Sequence, residues 1–294
     1  MRNTLEVGDG RWKIVVAPSL GGSLLACDFD GVPVLRAAPQ TPASRRPAIR
    51  CCHFPLIPFS NRIENGRFRF DGETVSLPRN VVGSPHALHG HGWQTAWQVS
   101  ESDGASCALT YQRKATPDWP WPYRARQTIA VAGNSLYLLL AIENPGSAAM
   151  PGGLGFHPFF PRSAGARLEL SAAQVWDGNA AGFPTVRADI PAGLEFHGAP
   201  RLADREGTDH CFDGWSRRAT IRYEHPARRV TLDGCKETSH AIVYVPANAD
   251  YFCVEPVSHA VNAMNLADPA AAGWWTLEAG EIRSISMTIR CVVT

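Results

Sequence analysis

Hydrophobic and polar positions alternate in short runs along the chain. Arg11–Ala17, Ser23–Phe29, Gln127–Ala132, Ser135–Ile142, Arg167–Leu170, Ala219–Tyr223, Arg229–Leu232, Ala241–Val245, Tyr251–Val254 and Ile282–Val293 are short, rich in β-branched and aromatic residues, and bounded by turn residues. A period of two sends successive side chains to opposite faces, which is the pattern of a strand. Arg67–Phe70 and Thr74–Leu77 flank Asp71-Gly72 and predict a hairpin. Gly 26 and Pro 23 make up about one residue in six and leave few windows for a long helix. Ala260–Ala267 is the one stretch that reads as a helical turn. Many short strands separated by turns predict an all-β sandwich or barrel. There is no fixed repeat, low-complexity tract or charge block. Pro39–Pro47, with the pair Arg45–Arg46, is the one linker-like segment. It lies too near the N-terminus to split off a domain, so a surface loop and a single domain over residues 1–294 are expected.

Composition narrows the partners. Lys+Arg 28 against Asp+Glu 27 is nearly neutral. That removes the electrostatic footprint of a nucleic-acid binder or of a protein held on an anionic membrane. The greasiest run, Leu136–Ile142, is strand-sized and far short of a bilayer span. The N-terminus lacks an apolar signal region, so the cytoplasm is the expected location. Eight cysteines are scattered without a C-x-x-C pair and read as small reduced hydrophobes.

Five stretches carry candidate chemistry. Gly155-Phe-His-Pro-Phe-Phe-Pro sets His157 among rings, and Pro158 biases it to an extended backbone. It is either an acid or base facing a cleft or a packed histidine. In Phe59-Ser-Asn-Arg-Ile-Glu-Asn-Gly, Asn61 and Arg62 offer an amide and a donor fork suited to hydroxyl and ring-oxygen acceptors, or else a turn and a surface ion pair. Pro85-His-Ala-Leu-His-Gly-His-Gly-Trp would place His89 and His91 on one strand face, as a cupin-type metal site needs. Thr95 and Ala96 stand where such a site wants a carboxylate, so no metal is expected. Trp93 and Trp97 either stack on a sugar or pack. Asp209, in Gly-Thr-Asp-His-Cys-Phe, either accepts from a hydroxyl or makes a turn. Finally, Tyr251–Val254 runs into Glu255, and Pro256 is expected to stop the strand there. A carboxylate at the end of a buried strand needs partners, and partial burial lifts its pKa towards that of a general base. No nucleophile elbow, Walker A loop, dinucleotide fingerprint or H-E-x-x-H occurs.

Taken in order, several stretches resemble the aldose 1-epimerase (galactose mutarotase-like) family. They are Pro18 with Gly21-Gly22, Asn61-Arg62-Ile63 with Gly66 and Phe68, Leu88-His89-Gly90, Gly155-Phe-His-Pro-Phe-Phe, Asp209-His210, and Glu255-Pro256 with Asn262. The resemblance implies a β-supersandwich of antiparallel strands with a sugar cleft on one face. It implies Glu255 as general base, His157 as general acid and His89 as a second active-site histidine. Asn61, Arg62 and Asp209 would hold the sugar; Trp93, on the character of its ring alone, is the further substrate-binding candidate. Two departures stand out: His91 splits the glycine pair after His89, and Pro158-Phe159-Phe160 replaces a more polar run after His157. Both lean towards bacterial branches with ill-defined sugars, including hexose-phosphate epimerase-like members.

The reaction suits such a pair. One group takes the C1 hydroxyl proton while another protonates O5, the C1–O5 bond opens, C1–C2 rotates, and closure runs the steps in reverse. A carboxylate titrating below working pH and an imidazolium titrating near or above it would serve, with Arg62 favouring the ionised glutamate if close. No cofactor is required, and the protein is expected as a monomer or homodimer. Three rival readings remain: a hexose 6-phosphate epimerase using Arg79, Arg126 or Arg162; a non-catalytic sugar-binding module using Trp93, Trp97 and Trp215; and a glycosidase pairing Asp209 with Glu255.

Overall fold

A computed structural model describes residues 4–38, 47–179 and 182–293. The linker-like segment 39–47 lies outside the described residues except for Pro47. Two large antiparallel sheets dominate. In the larger, His53–Leu56, Gly155–Pro161, Tyr251–Val257, His240–Val245 and Thr208–Asp213 lie side by side in that order. The second sheet runs from Gln98–Ser102 through Tyr123–Ala132, Ser135–Glu143 and Ile282–Val293 to Arg167–Leu170.

The alternation seen in the sequence decides which side chains go inward. In Ser135–Glu143, Leu136, Leu138, Leu140 and Ile142 are buried, while Tyr137 and Leu139 remain substantially exposed. The inward residues of both sheets join one apolar cluster. Burial of each large side chain there contributes roughly 1.5–3 kcal/mol. Polar side chains also tie the sheets: Gln127 Nε2 donates to Gly22 O at 3.0 Å and Tyr223 Oη donates to Pro161 O at 3.0 Å.

Most predicted strands form with their ends moved by a residue or two, and the Asp71-Gly72 hairpin pairs Arg67–Phe70 with Glu73–Ser76. The predicted helical turn shrinks to a 3-10 turn at Ala263–Asn265. Two local expectations are corrected. The strand starting at Tyr251 does not stop at Pro256 but continues to Val257. Asp209 is not in a turn; it lies in Thr208–Asp213, opposite Tyr244.

The first correction has a physical reason. Between the Gly155–Pro161 and Tyr251–Val257 strands, pairing is made at Gly155 with Val257 and again from Phe159 with Cys253. The gap between holds Pro158 and Pro256, which have no N–H to donate. The ladder therefore opens where His157 faces Glu255, while Pro256 still lies opposite Ala241 on its other side.

Candidate active site

His157 and Glu255 stand on neighbouring central strands at facing positions of that gap. His157 Nε2 lies 3.4 Å from Glu255 Oε1, and their side chains are 10% and 4% exposed. Glu255 Oε2 and His157 Nδ1 are buried without a hydrogen-bond partner. Period two also brings Cys253 to the face that carries Glu255, and Phe159 to the face that carries His157. Phe159 stacks on the His157 ring at 4.5 Å between centroids, and Phe54, across the His53–Leu56 ladder, packs on it at 4.6 Å.

Two loops cover one side of this pair. Asn61 and His89 both adopt left-handed backbone, φ 56° and 59°. They clamp each other: His89 N–H donates to Asn61 O at 2.9 Å, and Asn61 N–H donates to His89 Nδ1 at 3.0 Å. That second bond puts the proton of a neutral His89 on Nε2. The His89 and His157 rings meet edge-to-face at 5.2 Å. Asn61 Oδ1 accepts from the Arg62 N–H, a local bond that suits Asn to a left-handed position. His259 secures the residue before: its Nε2 accepts from Ser60 N–H at 3.2 Å, with Nδ1 against Ala260 O at 2.7 Å. Gly90 is required where it stands, at φ +67°, because a Cβ there would fall 2.2 Å from Ile57 O.

Arg62 and Asp209 form an ion pair at 3.2 Å above the buried pair, each side chain about two-fifths exposed (41% and 40%). The floor is thus buried and apolar apart from an imidazole, a carboxylate and a thiol. The rim is charged and wet.

Burial dominates the electrostatics. It pushes the Glu255 carboxyl well above the usual range, and nearby Asp209 adds to this while Arg62 opposes it. Burial also pushes His157 well below 6.5, helped by His89 and His53. His89 is pushed down to about 3, by burial first and Arg62 second. The expectation of an ionised glutamate beside an imidazolium is therefore corrected for the free protein. Desolvation favours the neutral form of each group, a protonated carboxyl against a neutral ring, and Arg62 is too exposed to reverse it.

Six of the seven expected site residues converge here: His157, Glu255, His89, Asn61, Arg62 and Asp209. Trp93 does not. It is fully buried, stacks on Phe54 at 5.4 Å and donates Nε1 to Gly90 O, so it supports the His89 loop from behind and has no face for a sugar. Trp97 and Trp215 are buried as well. His91 shares no face with His89; it packs on Trp119, 3.8 Å from Asp118. Of the arginines proposed for a phosphate, Arg126 pairs with Glu101 on the second sheet and Arg162 with Glu206. Phe54, Phe159, Cys253 and Arg36 surround the pair and were not anticipated. For Phe159 and Cys253 a signal existed, since each lies two residues from a reactive side chain in a strand.

His157, Cys253 and Glu255 hold metal-type donor atoms within 4.8 Å of one another. A cation there would have to deprotonate a thiol that burial pushes well up. What the arrangement offers directly is one proton passed between an imidazole and a carboxylate, with unsatisfied polar atoms on both.

Comparison with known proteins bears on the family and the fold. The uncharacterized protein YphB of Escherichia coli (strain K12) is 29% identical over 246 residues, covering 81% of this chain and 82% of YphB. A crystal structure of an aldose 1-epimerase candidate from Escherichia coli K12 superposes with a TM-score of 0.88 at 26% identity, covering 99% of both chains. A galactose mutarotase-like protein from Clostridium acetobutylicum shares the fold at TM-score 0.88 and 19% identity, over 99% of this chain and 95% of that one. The aldose 1-epimerase profile matches residues 4–290, and the chain belongs to that family.

Proposed function

We propose that the protein interconverts the α and β anomers of a free aldohexose by acid/base ring opening and closure. The carrying observation is the pair on facing central strands, His157 Nε2 at 3.4 Å from Glu255 Oε1, buried beneath a polar rim. Between them the two groups share one proton. A sugar hydroxyl reaching the unpartnered Glu255 Oε2 favours the carboxylate, because a hydrogen bond to the charged form offsets its desolvation. Glu255 then takes the C1 hydroxyl proton while His157, carrying the shared proton, gives it to O5. The C1–O5 electrons go to O5 as the bond breaks, and C1 becomes an aldehyde carbon. Rotation about C1–C2 presents the other face, and the same groups return the protons in reverse.

In this reading His89 Nε2–H donates to a sugar oxygen at the reacting end, and its low pKa keeps the ring neutral. Asn61, Arg62 and Asp209 bind the remaining hydroxyls. The chain acts as one domain with a small-molecule partner. Burial of Trp93, Trp97 and Trp215 takes away the stacking platforms on which a binding module would depend.

His157→Asn and Glu255→Gln are each expected to lower kcat/KM for mutarotation about 10²–10⁴-fold. Rates come from polarimetry on freshly dissolved α-anomer, with circular dichroism confirming the fold. Wild-type rates in either variant would remove that residue from the mechanism, and wild-type rates in both would remove the mechanism.

A further inference from the structure

Arg36 has no place in that scheme, yet it sits one ring away from the reacting histidine. Its backbone N–H donates to Phe159 O at 2.8 Å, which ties its segment to the His157 strand. Its guanidinium carbon lies 4.6 Å from the centroid of the Phe159 ring and 4.1 Å from that of Tyr251. Phe159 is the ring stacked on His157. Arg36 is half-buried, and its Nε is buried without a hydrogen-bond partner. Among the described residues no carboxylate forms an ion pair with it, whereas Arg62 and Arg162 are paired with Asp209 and Glu206. Residues 39–46, which follow it closely, contain no Asp or Glu. A half-buried cation held on two aromatic faces without a counter-ion is costly unless a ligand supplies the negative charge.

We propose that Arg36 receives a carboxylate carried by the substrate, so that the preferred sugar is a hexuronate with its acid group at C6. This rests on the reading of His157 and Glu255 as the groups at C1 and O5. Two residues along a strand span about 6.8 Å. The step from His157 to Phe159 therefore sets Arg36 one pyranose away from the reacting end. O5 bonds both C1 and C5, so a ring held at O5 by His157 directs its C6 substituent along the strand. The planar Nε/Nη fork matches a planar carboxylate in a two-pronged hydrogen bond. A phosphate dianion calls for a cluster of cations, and the neighbouring arginines are already committed.

The test measures anomer exchange by two-dimensional exchange NMR on glucose, glucuronate and glucose 6-phosphate, and on galactose and galacturonate. It uses the wild-type protein, Arg36→Gln and Arg36→Lys. The wild type is expected to favour each uronate over its parent hexose by about tenfold or more in kcat/KM, as a charge-assisted hydrogen bond allows. Arg36→Gln should erase that ratio mainly through KM, and Arg36→Lys, which keeps charge but loses the fork, should restore part of it. Equal rates on uronate and hexose, an equal fall on both in Arg36→Gln, or a preference for glucose 6-phosphate over glucuronate each overturns the proposal. Calorimetric titration of the wild type separates it from the reading beneath it. Tighter binding of uronate than hexose without any acceleration of exchange would sink the mechanism and keep the anion site, while fast exchange without selectivity would do the reverse. Loss of fold in Arg36→Gln, seen by circular dichroism, leaves the wild-type selectivity and Arg36→Lys as the deciding measurements.

Discussion

Glu255 sets one carboxylate oxygen against His157 and leaves the other buried without a partner. Its pKa is raised chiefly by burial, so folding favours the protonated form. For a group whose folded pKa lies above its unfolded value, the stabilisation is complete below the unfolded pKa of about 4.5 and is lost as pH rises through the folded value. At neutral pH the wild-type chain therefore bears a cost that a permanently neutral amide does not. Glu255→Gln is expected to raise Tm at pH 7–8 by about 2 °C or more while it removes activity, and the gain should shrink towards pH 4.5. Calorimetric melts across that range check it, and a lower Tm at every pH would show that the carboxylate is a structural anchor. The same scale explains why Asn61 and His89 were visible only as residue types. Their left-handed backbone and mutual clamp depend on a loop-to-loop contact that no local pattern encodes.

At the scale of elements, two strands and two loops make the site. Pro158 and Pro256 interrupt hydrogen bonding between the central strands where the reacting pair faces, so two side chains distant in sequence meet across an opened ladder. The alternation of the Tyr251 strand predicted its face and its start. Its end was misjudged, because Pro256 breaks pairing only on the side of the Gly155–Pro161 strand, while the other edge stays paired with His240–Val245 and carries the strand on to Val257. The loop carrying His89 hangs on Ile57 O, which accepts from His91 N–H and Gly92 N–H at 3.0 and 3.1 Å. Gly90→Ala pushes a Cβ into that carbonyl at a positive φ. It is expected to cost roughly 2–4 kcal/mol and to lower kcat/KM along with Tm. An unchanged melt and unchanged rate would show that the loop relaxes freely and that the clamp does not position His89.

Over the whole molecule, the sandwich buries many histidines as neutral rings. His53 and His89 are held at about 3, and His91, His240 and His259 at about 4, each by burial first. Here the folded pKa is below the unfolded 6.5, so the unfolded chain binds protons first. Stability is complete above pH 6.5 and declines as pH falls towards 4 and 3. At pH 5 each such ring withholds on the order of 2 kcal/mol. Tm is expected to fall by roughly 10–20 °C between pH 7 and pH 5, above the range where ordinary carboxylates titrate and with buried Glu255 acting in the opposite direction. His53 has no partner on either nitrogen, so His53→Phe should flatten the profile. A Tm that stays level down to pH 5 would mean that these rings reach water or counter-charges in the folded state.

The order of polar and apolar residues was enough for the all-β architecture and most strand positions, because a two-residue period acts within a few bonds of itself, whereas His157 and Glu255 were joined as a pair only by the family resemblance. Short motifs in a fixed order were enough for the family. Folding alone determined that His157 and Glu255 lie 3.4 Å apart, that Trp93 supports rather than lines the site, and that Arg36 stands beside it with no ion-pair partner among the described residues. Those facts depend on which strands become neighbours and on how much water each group loses, and desolvation is a property of the packed whole rather than of any segment.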